Sequence, residues 1–251
     1  GAGAQSMKGF SPYYQATIRL LTRIEETQAE ALDKAAEVIF TSLKEGGVLH
    51  IFGSGHSHAL AEEAFHRAGG LVPVNAILES FLTPHTPPAK SGKLEKVSGI
   101  ASILLDYYDP RPGEVLVIAS NSGINPVPVE MAMAAKAREL FVIAITSLAH
   151  STSVPSGHES GKRLFEVADI VIDTGVEVGD GAVSYPGLPI KVGPTSLLAG
   201  AFIWNSLLCR IVERFLAEGL TPPIYLSANF PGGEEHNRAL EAKYRGRIKL
   251  L

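Results

Sequence analysis

The sequence predicts an α/β protein with a doubly wound, mostly parallel five-stranded sheet flanked by helices. Three observations predict it. Five short apolar runs are near-continuous, as strands covered on both faces are. Segments of helical period alternate with them. Glycine, proline and small hydroxyl residues gather where the runs end.

The chain opens in helical character from Ser11 to Leu43, with Ile18, Leu21, Ile24, Leu32, Ala35, Ile39 and Leu43 at spacings of three or four. Glu45-Gly46-Gly47 ends that stretch. The expected strands are Val48–Phe52, Pro73–Leu78, Val115–Ala119, Phe141–Ile145 and Ala168–Asp173, with helices over His58–Ala68, Leu94–Tyr107 and Val127–Leu140. A last apolar helix is expected over Ser196–Glu218, and the tail from Pro222 is polar and turn-rich. Residues 148–166 show little periodicity, so a structureless lid is expected there, with His150, His158 and Lys162 able to touch a ligand. The expected organisation is one domain over residues 7–219 and an extension over 220–251, with residues 1–6 an expression remnant before Met7.

Composition removes several functions. The chain has 251 residues, is 45% hydrophobic and 19% charged, and carries a net charge of −4. Without a basic stripe it is a poor match to nucleic acid. A single cysteine, Cys209, excludes a disulfide framework and a cysteine-rich zinc module. No uninterrupted apolar run approaches the ~18 residues of a membrane span. The expected compartment is a reducing cytoplasm, with no nucleic-acid or membrane partner.

Ligands of open parallel sheets bind beyond the carboxyl ends of the strands. There the chain places Gly53-Ser54-Gly55-His56-Ser57-His58, then Ser120-Asn121-Ser122-Gly123-Ile124-Asn125-Pro126, then Thr146-Ser147, and Gly193-Pro194-Thr195-Ser196 before the last helix. Glycines admit a close ligand, and hydroxyls and free N–H groups at helix starts donate to an anion. Asn125-Pro126 suits a helix start. There is no P-loop lysine and no third glycine at dinucleotide spacing, since position 58 is His. A phosphate monoester fits better than a nucleotide. From these loops Ser54, His56, Ser57, Ser120, Asn121, Ser122, Asn125, Thr146, Ser147, Thr195 and Ser196 are the expected ligand contacts.

The loops GSGHS (Gly53–Ser57) and SNSG (Ser120–Gly123) resemble those of the sugar isomerase (SIS) family, over roughly residues 46–218. GSGHSHALAEEAF is similar to phosphoheptose isomerases, GPTSLLAGAFIWN (Gly193–Asn205) to N-acetylmuramic acid 6-phosphate etherases, and LSANFPGGEEHN to a group of SIS-domain proteins described as phosphosugar isomerases. The resemblance implies phosphate and sugar contacts from Ser54, Ser57, Ser120, Ser122, Asn125, Thr146 and Ser147. The family more often has Ser or Thr where Asn125 stands. It also implies a homodimer or homotetramer binding a sugar phosphate, without cofactor.

Isomerising an aldose phosphate to a ketose phosphate needs a base beside the carbonyl and an acid at its oxygen. On a helix, His58, Glu62 and His66 would share one face. Phosphoheptose isomerases place a catalytic glutamate on this helix, and ungapped alignment puts His66 there, with Glu62 a turn earlier. Glu79 follows the second strand, and Glu234-Glu235-His236 follows a Gly-Gly turn, able to cap its own helix or reach a neighbouring subunit. The expected catalytic residues are therefore Glu62, His66, Glu79 and His236. No metal is expected: His58 and His66 would lie about 12 Å apart along one helix. The first functional expectation is an aldose–ketose phosphosugar isomerase; the alternatives are an amino-sugar phosphate lyase or etherase and a non-catalytic phosphosugar sensor.

Overall fold

The computed structural model describes residues 10–251, so the remnant and start expected at residues 1–7 lie outside the described residues. Two helices lead, α1 (Pro12–Thr27) and α2 (Ala29–Lys44). Ser11 Oγ caps the first by accepting from Tyr14 N at 3.2 Å, with Pro12 at its first position. The stretch expected as one helical region breaks at Gln28, whose side chain accepts from Asp173 N at 3.0 Å.

The five expected strands form one parallel sheet: β1 (Leu49–Gly53), β2 (Val74–Ile77), β3 (Val115–Ala119), β4 (Phe141–Thr146) and β5 (Ile170–Asp173), in the order β2-β1-β3-β4-β5. Side chains alternate between two cores, as the pleat requires. Ile51, Val117 and Ile143 face one side, packed with α1, α2, α3 (His58–Ala64) and α9 (Ser196–Ala217). Phe52, Leu116, Ile118 and Val142 face the other, packed with α5 (Ile100–Tyr108) and α6 (Pro126–Ala137).

Several expectations are corrected. The helix after β1 ends at Ala64, not Ala68: Phe65 is extended and His66 has φ 50°. Consequently His66 does not extend the face of His58 and Glu62. The helix expected over Leu94–Tyr107 is split into α4 (Pro88–Leu94) and α5, with Gly99 left-handed between them. Residues 148–166 contain α7 (Leu148–Ser153) and α8 (Leu164–Val167). A two-stranded antiparallel ribbon, β6 (Gly181–Val183) with β7 (Val192–Pro194), precedes α9 and was not foreseen. By length and composition α9 is apolar enough to cross a membrane, with a mean hydropathy of 1.3 over its best window. The apolar-run reading missed this because charges interrupt the helix. Its buried residues Ile203, Trp204, Leu207 and Ile211 pack in the sheet core.

At the amino ends of the strands, Glu114 is a buried anchor. Its carboxylate accepts from Val48 N (2.7 Å), His50 Nε2 (2.9 Å), Arg111 N (2.7 Å) and Arg247 Nη2 (2.6 and 2.8 Å). Asn75 continues the network, its Nδ2 lying 3.0 Å from His50 Nδ1. The C-terminal tail, after helix α10 (Gly233–Glu241), is thereby tied to β1. Burial alone would raise the Glu114 carboxyl, but the bonds from His50, Arg247 and Arg111 outweigh it and lower it to about 2. A depressed carboxyl contributes stability above its unfolded value near 4.5 and loses it as pH falls toward 2. Glu114→Gln should cost roughly 3 kcal/mol near neutral pH. In denaturant melts, its gap from the parent should narrow as the pH falls from 4.5 toward 2.

Candidate functional site

Strand order reverses at β1, whose next strand lies on one side and β3 on the other. The connections therefore leave in opposite directions and open a crevice at the carboxyl ends of β1 and β3. Its lining includes His56, Ser57, Asn121, Thr174, Ser196 and Leu197. His56, Ser196 and Leu197 also line a broader cleft of about 1110 Å³, with Glu62, Glu63, His66 and Asp180.

Gly53 lets the first loop fold back on itself. A Cβ there would lie 2.2 Å from Ser57 O, and Gly55 takes φ +59°. Ser57 then enters α3 and its side chain makes no capping bond. Ser54 is buried instead, donating to Glu95 Oε1 at 2.6 Å.

The second loop is held from behind. The Asn121 carbonyl accepts from Ser147 N (3.0 Å) and Thr146 Oγ1 (3.3 Å), and the Ser122 carbonyl from Ser151 Oγ (2.6 Å). The Gly123 carbonyl accepts from Leu164 N and the Ile124 carbonyl from Gly157 N, both at 2.8 Å. Four successive carbonyls are thus occupied from the 146–164 side. Among the described residues the N–H groups of Asn121 and Ser122 have no such partner. Successive free N–H groups in a tight turn form an anion-binding concavity. Ser120 Oγ accepts from Gly123 N at 3.1 Å and fixes the turn, and Gly123 at φ +62° leaves no room for a side chain beside Thr146, Ser151 and Leu164.

The expected lid is therefore a brace. His158 lies 3.1 Å from Glu130 and 2.7 Å from Ser160 Oγ, and Arg163 donates to Ser151 O. Thr146 and Ser147 are fully buried; the Ser147 hydroxyl donates to Val176 O and accepts from His150 N as cap of α7. Asn125 stands at the N-cap of α6, but its side chain makes no capping bond. At α9, Asp180 Oδ1 accepts from Thr195 N and Ser196 N, both at 2.9 Å, and Oδ2 from Ser196 Oγ at 2.5 Å. Thr195 is buried, while Ser196 reaches the crevice.

The four residues expected to act as acids or bases do not converge. Glu62 and His66 line the broad cleft, and His66 Nε2 lies 3.3 Å from Glu241. Glu62 Oε1 lies 3.0 Å from His58 Nε2. Burial lowers the His58 pKa against the pull of Glu62, helped by nearby His85. Glu79 accepts from Tyr108 OH at 2.9 Å; burial first, then that bond, raises the tyrosine. The His236 ring lies 2.9 Å from Ile224 O within the tail. No group of three or more metal-ligating side chains occurs among the described residues. The sequence reading missed Glu95, Ser151, Thr174 and Asp180. Thr174 directly follows β5 and was open to the rule used for the other strand ends; the others act from distant segments and carry no local signal.

A SIS domain model matches residues 12–147, from α1 through the end of β4 and its following residue. The chain belongs to the SIS domain family. A UPF0309 protein of Listeria innocua is 41% identical over 239 residues, covering 95% of this SIS chain and 97% of that protein. The fold is similar to that of a phosphoheptose isomerase from Neisseria gonorrhoeae (TM-score 0.52, 19% identity), over 78% of this chain and 94% of that one. It is also similar to the NanR protein of Vibrio vulnificus complexed with ManNAc-6P (TM-score 0.51, 15% identity), over 100% of this chain and 73% of that one. These two likenesses establish the SIS architecture.

Because a Cβ on Gly53 meets backbone, not a movable side chain, Gly53→Ala must shift the first loop. The expected cost is about 1–3 kcal/mol, read as a lower chemical-denaturation midpoint at unchanged m-value.

Proposed function

We propose that this chain binds a sugar phosphate with its phosphate in the β1–β3 crevice, and isomerises it between aldose and ketose forms in the adjoining cleft. The observation that carries the reading is the pair of free N–H groups at Asn121 and Ser122, backed by four occupied carbonyls, with Asn121 lining the crevice beside Ser57. Such a site offers donors to an anion without requiring a basic side chain. The phosphoheptose isomerase and the ManNAc-6P complex sharing the fold agree with a phosphosugar ligand.

With phosphate in the crevice, the sugar extends past His56 into the cleft that holds Glu62. Glu62 takes the proton from the carbon beside the carbonyl, and His56 gives a proton to the carbonyl oxygen, leaving an enediol. Return of the proton to the neighbouring carbon, and release of the other hydroxyl proton to His56, completes the exchange. Ser54, Ser120, Thr146 and Ser147 act as positioning residues, their hydroxyls already committed within the protein.

Sugar 6-phosphates at about a hundred times Kd should stabilise the fold by about 2.7 kcal/mol, a rise of several degrees in Tm. Ser57→Ala combined with Ser122→Ala should reduce it without removing it, because the hydroxyls go and the backbone N–H groups stay. In D2O, deuterium should enter the bound sugar at carbon, and Glu62→Gln should slow entry by about 10²–10⁴ while the Tm rise persists. A Tm rise without deuterium entry for any of the hexose, heptose and amino-sugar phosphates overturns isomerisation; no rise with any of them overturns the ligand class.

A further inference from the structure

A second, half-open cavity of about 180 Å³ lies beside the crevice. It is lined by Arg19 and Arg23 of α1, by Gly175, Val176 and Glu177 after β5, by Gly181 and Ala182 of β6, and by Thr195. The two arginines are one turn apart on a single helix face. Neither guanidinium has a hydrogen-bond or ion-pair partner among the described residues, whereas Arg67, Arg138, Arg163, Arg210 and Arg247 each hold a carboxylate. The one acid in the lining, Glu177, is already paired with Lys191. Thr195 is buried, and its hydroxyl makes no bond at its own N-cap. Gly175 at φ +68° keeps the floor clear, its missing Cβ lying 3.7 Å from the Arg23 side chain.

We propose that this cavity is a second anion site, taking a phosphoryl dianion between the Arg19 and Arg23 forks, on the side of the cavity away from the Asp180 carboxylate that holds Thr195. Two planar guanidiniums match the charge and the oxygen geometry of such a group. The site differs from the crevice in kind: charged forks hold the anion here, neutral amides and hydroxyls there. The two sites adjoin along the chain at two points. Thr174 lines the crevice and Gly175 the cavity; Ser196 lines the crevice and Thr195 the cavity. Asp180 closes the structure at that point, its carboxylate accepting the N–H groups of both Thr195 and Ser196.

The test is isothermal titration of the full chain with inorganic phosphate. Two sites are expected. Arg19→Gln with Arg23→Gln should remove one, weakening it at least tenfold, while Ser57→Ala with Ser122→Ala leaves it in place. Arg245→Gln, the loss of an exposed arginine elsewhere, should change nothing. The proposal is overturned if the arginine pair binds phosphate as the parent does, if Arg245→Gln weakens it equally, or if malonate binds the cavity and phosphate does not. The double serine variant keeps this outcome separate from the crevice reading: weakening crevice binding alone leaves the second site standing.

Discussion

The reversal of strand order at β1 is the constraint on which the rest of the molecule depends. A parallel sheet needs crossover connections, and when all run to one side every carboxyl end is overhung by the next loop. Here β2 lies on one side of β1 and β3 on the other, so the loops after β1 and β3 diverge. Both strands are buried on both faces and apolar along nearly their whole length. Their pairing is therefore fixed by the core, and the gap at their ends is as rigid as the sheet. His50 is the polar exception inside β1, and it is tolerated because Glu114 and Asn75 occupy both ring nitrogens.

In the proposed function that rigid gap holds an anion because of what stands behind it. A loop of serine, asparagine and glycine has no fixed shape of its own, and its carbonyls would repel a phosphate as strongly as its amides attract one. The 146–164 segment resolves this by drawing the carbonyls of residues 121–124 to its own side. Donors arranged before the ligand arrives need no reorganisation when it binds, which makes them worth more than the same groups in water. The net charge of −4 is no obstacle. Attraction comes from oriented dipoles a few ångströms away, and charges beyond about 10 Å are screened at moderate salt.

Local pattern made the sheet legible and left the brace hidden. The five apolar runs match β1 to β5 within a residue or two, because continuous burial writes itself into every position of a strand. The crevice-lining residues His56, Ser57, Asn121 and Ser196 were likewise found by reading only the strand ends. Ser151 and Glu95 were not, since each works through a partner dozens of positions away. The end of α3 escaped for another reason. Phe65-His66 continues the helical composition, but there the chain must leave the helix to reach the Leu71–Ile224 bridge, and tertiary contact overrides propensity. The β6–β7 ribbon, three residues per strand with two of its six positions exposed, is too short for period to register.

Asp180 changes what the start of α9 can offer an anion. The amino end of a 22-residue helix is the strongest dipole end in the molecule, and sequence reasoning assigned it to the ligand. The chain's own carboxylate sits there instead, accepting two N–H bonds and the Ser196 hydroxyl. A phosphate at that point would face a fixed negative charge. In the proposed binding mode the anion goes instead to the opposite wall, onto the uncapped N–H groups of Asn121 and Ser122, and Ser196 offers its lone pairs as an acceptor. A hydroxyl that accepts is what a sugar hydroxyl needs and what a phosphate dianion cannot use. In that mode the two walls of the crevice differ in sign of preference, and the difference would orient a ligand that is phosphate at one end and polyol at the other.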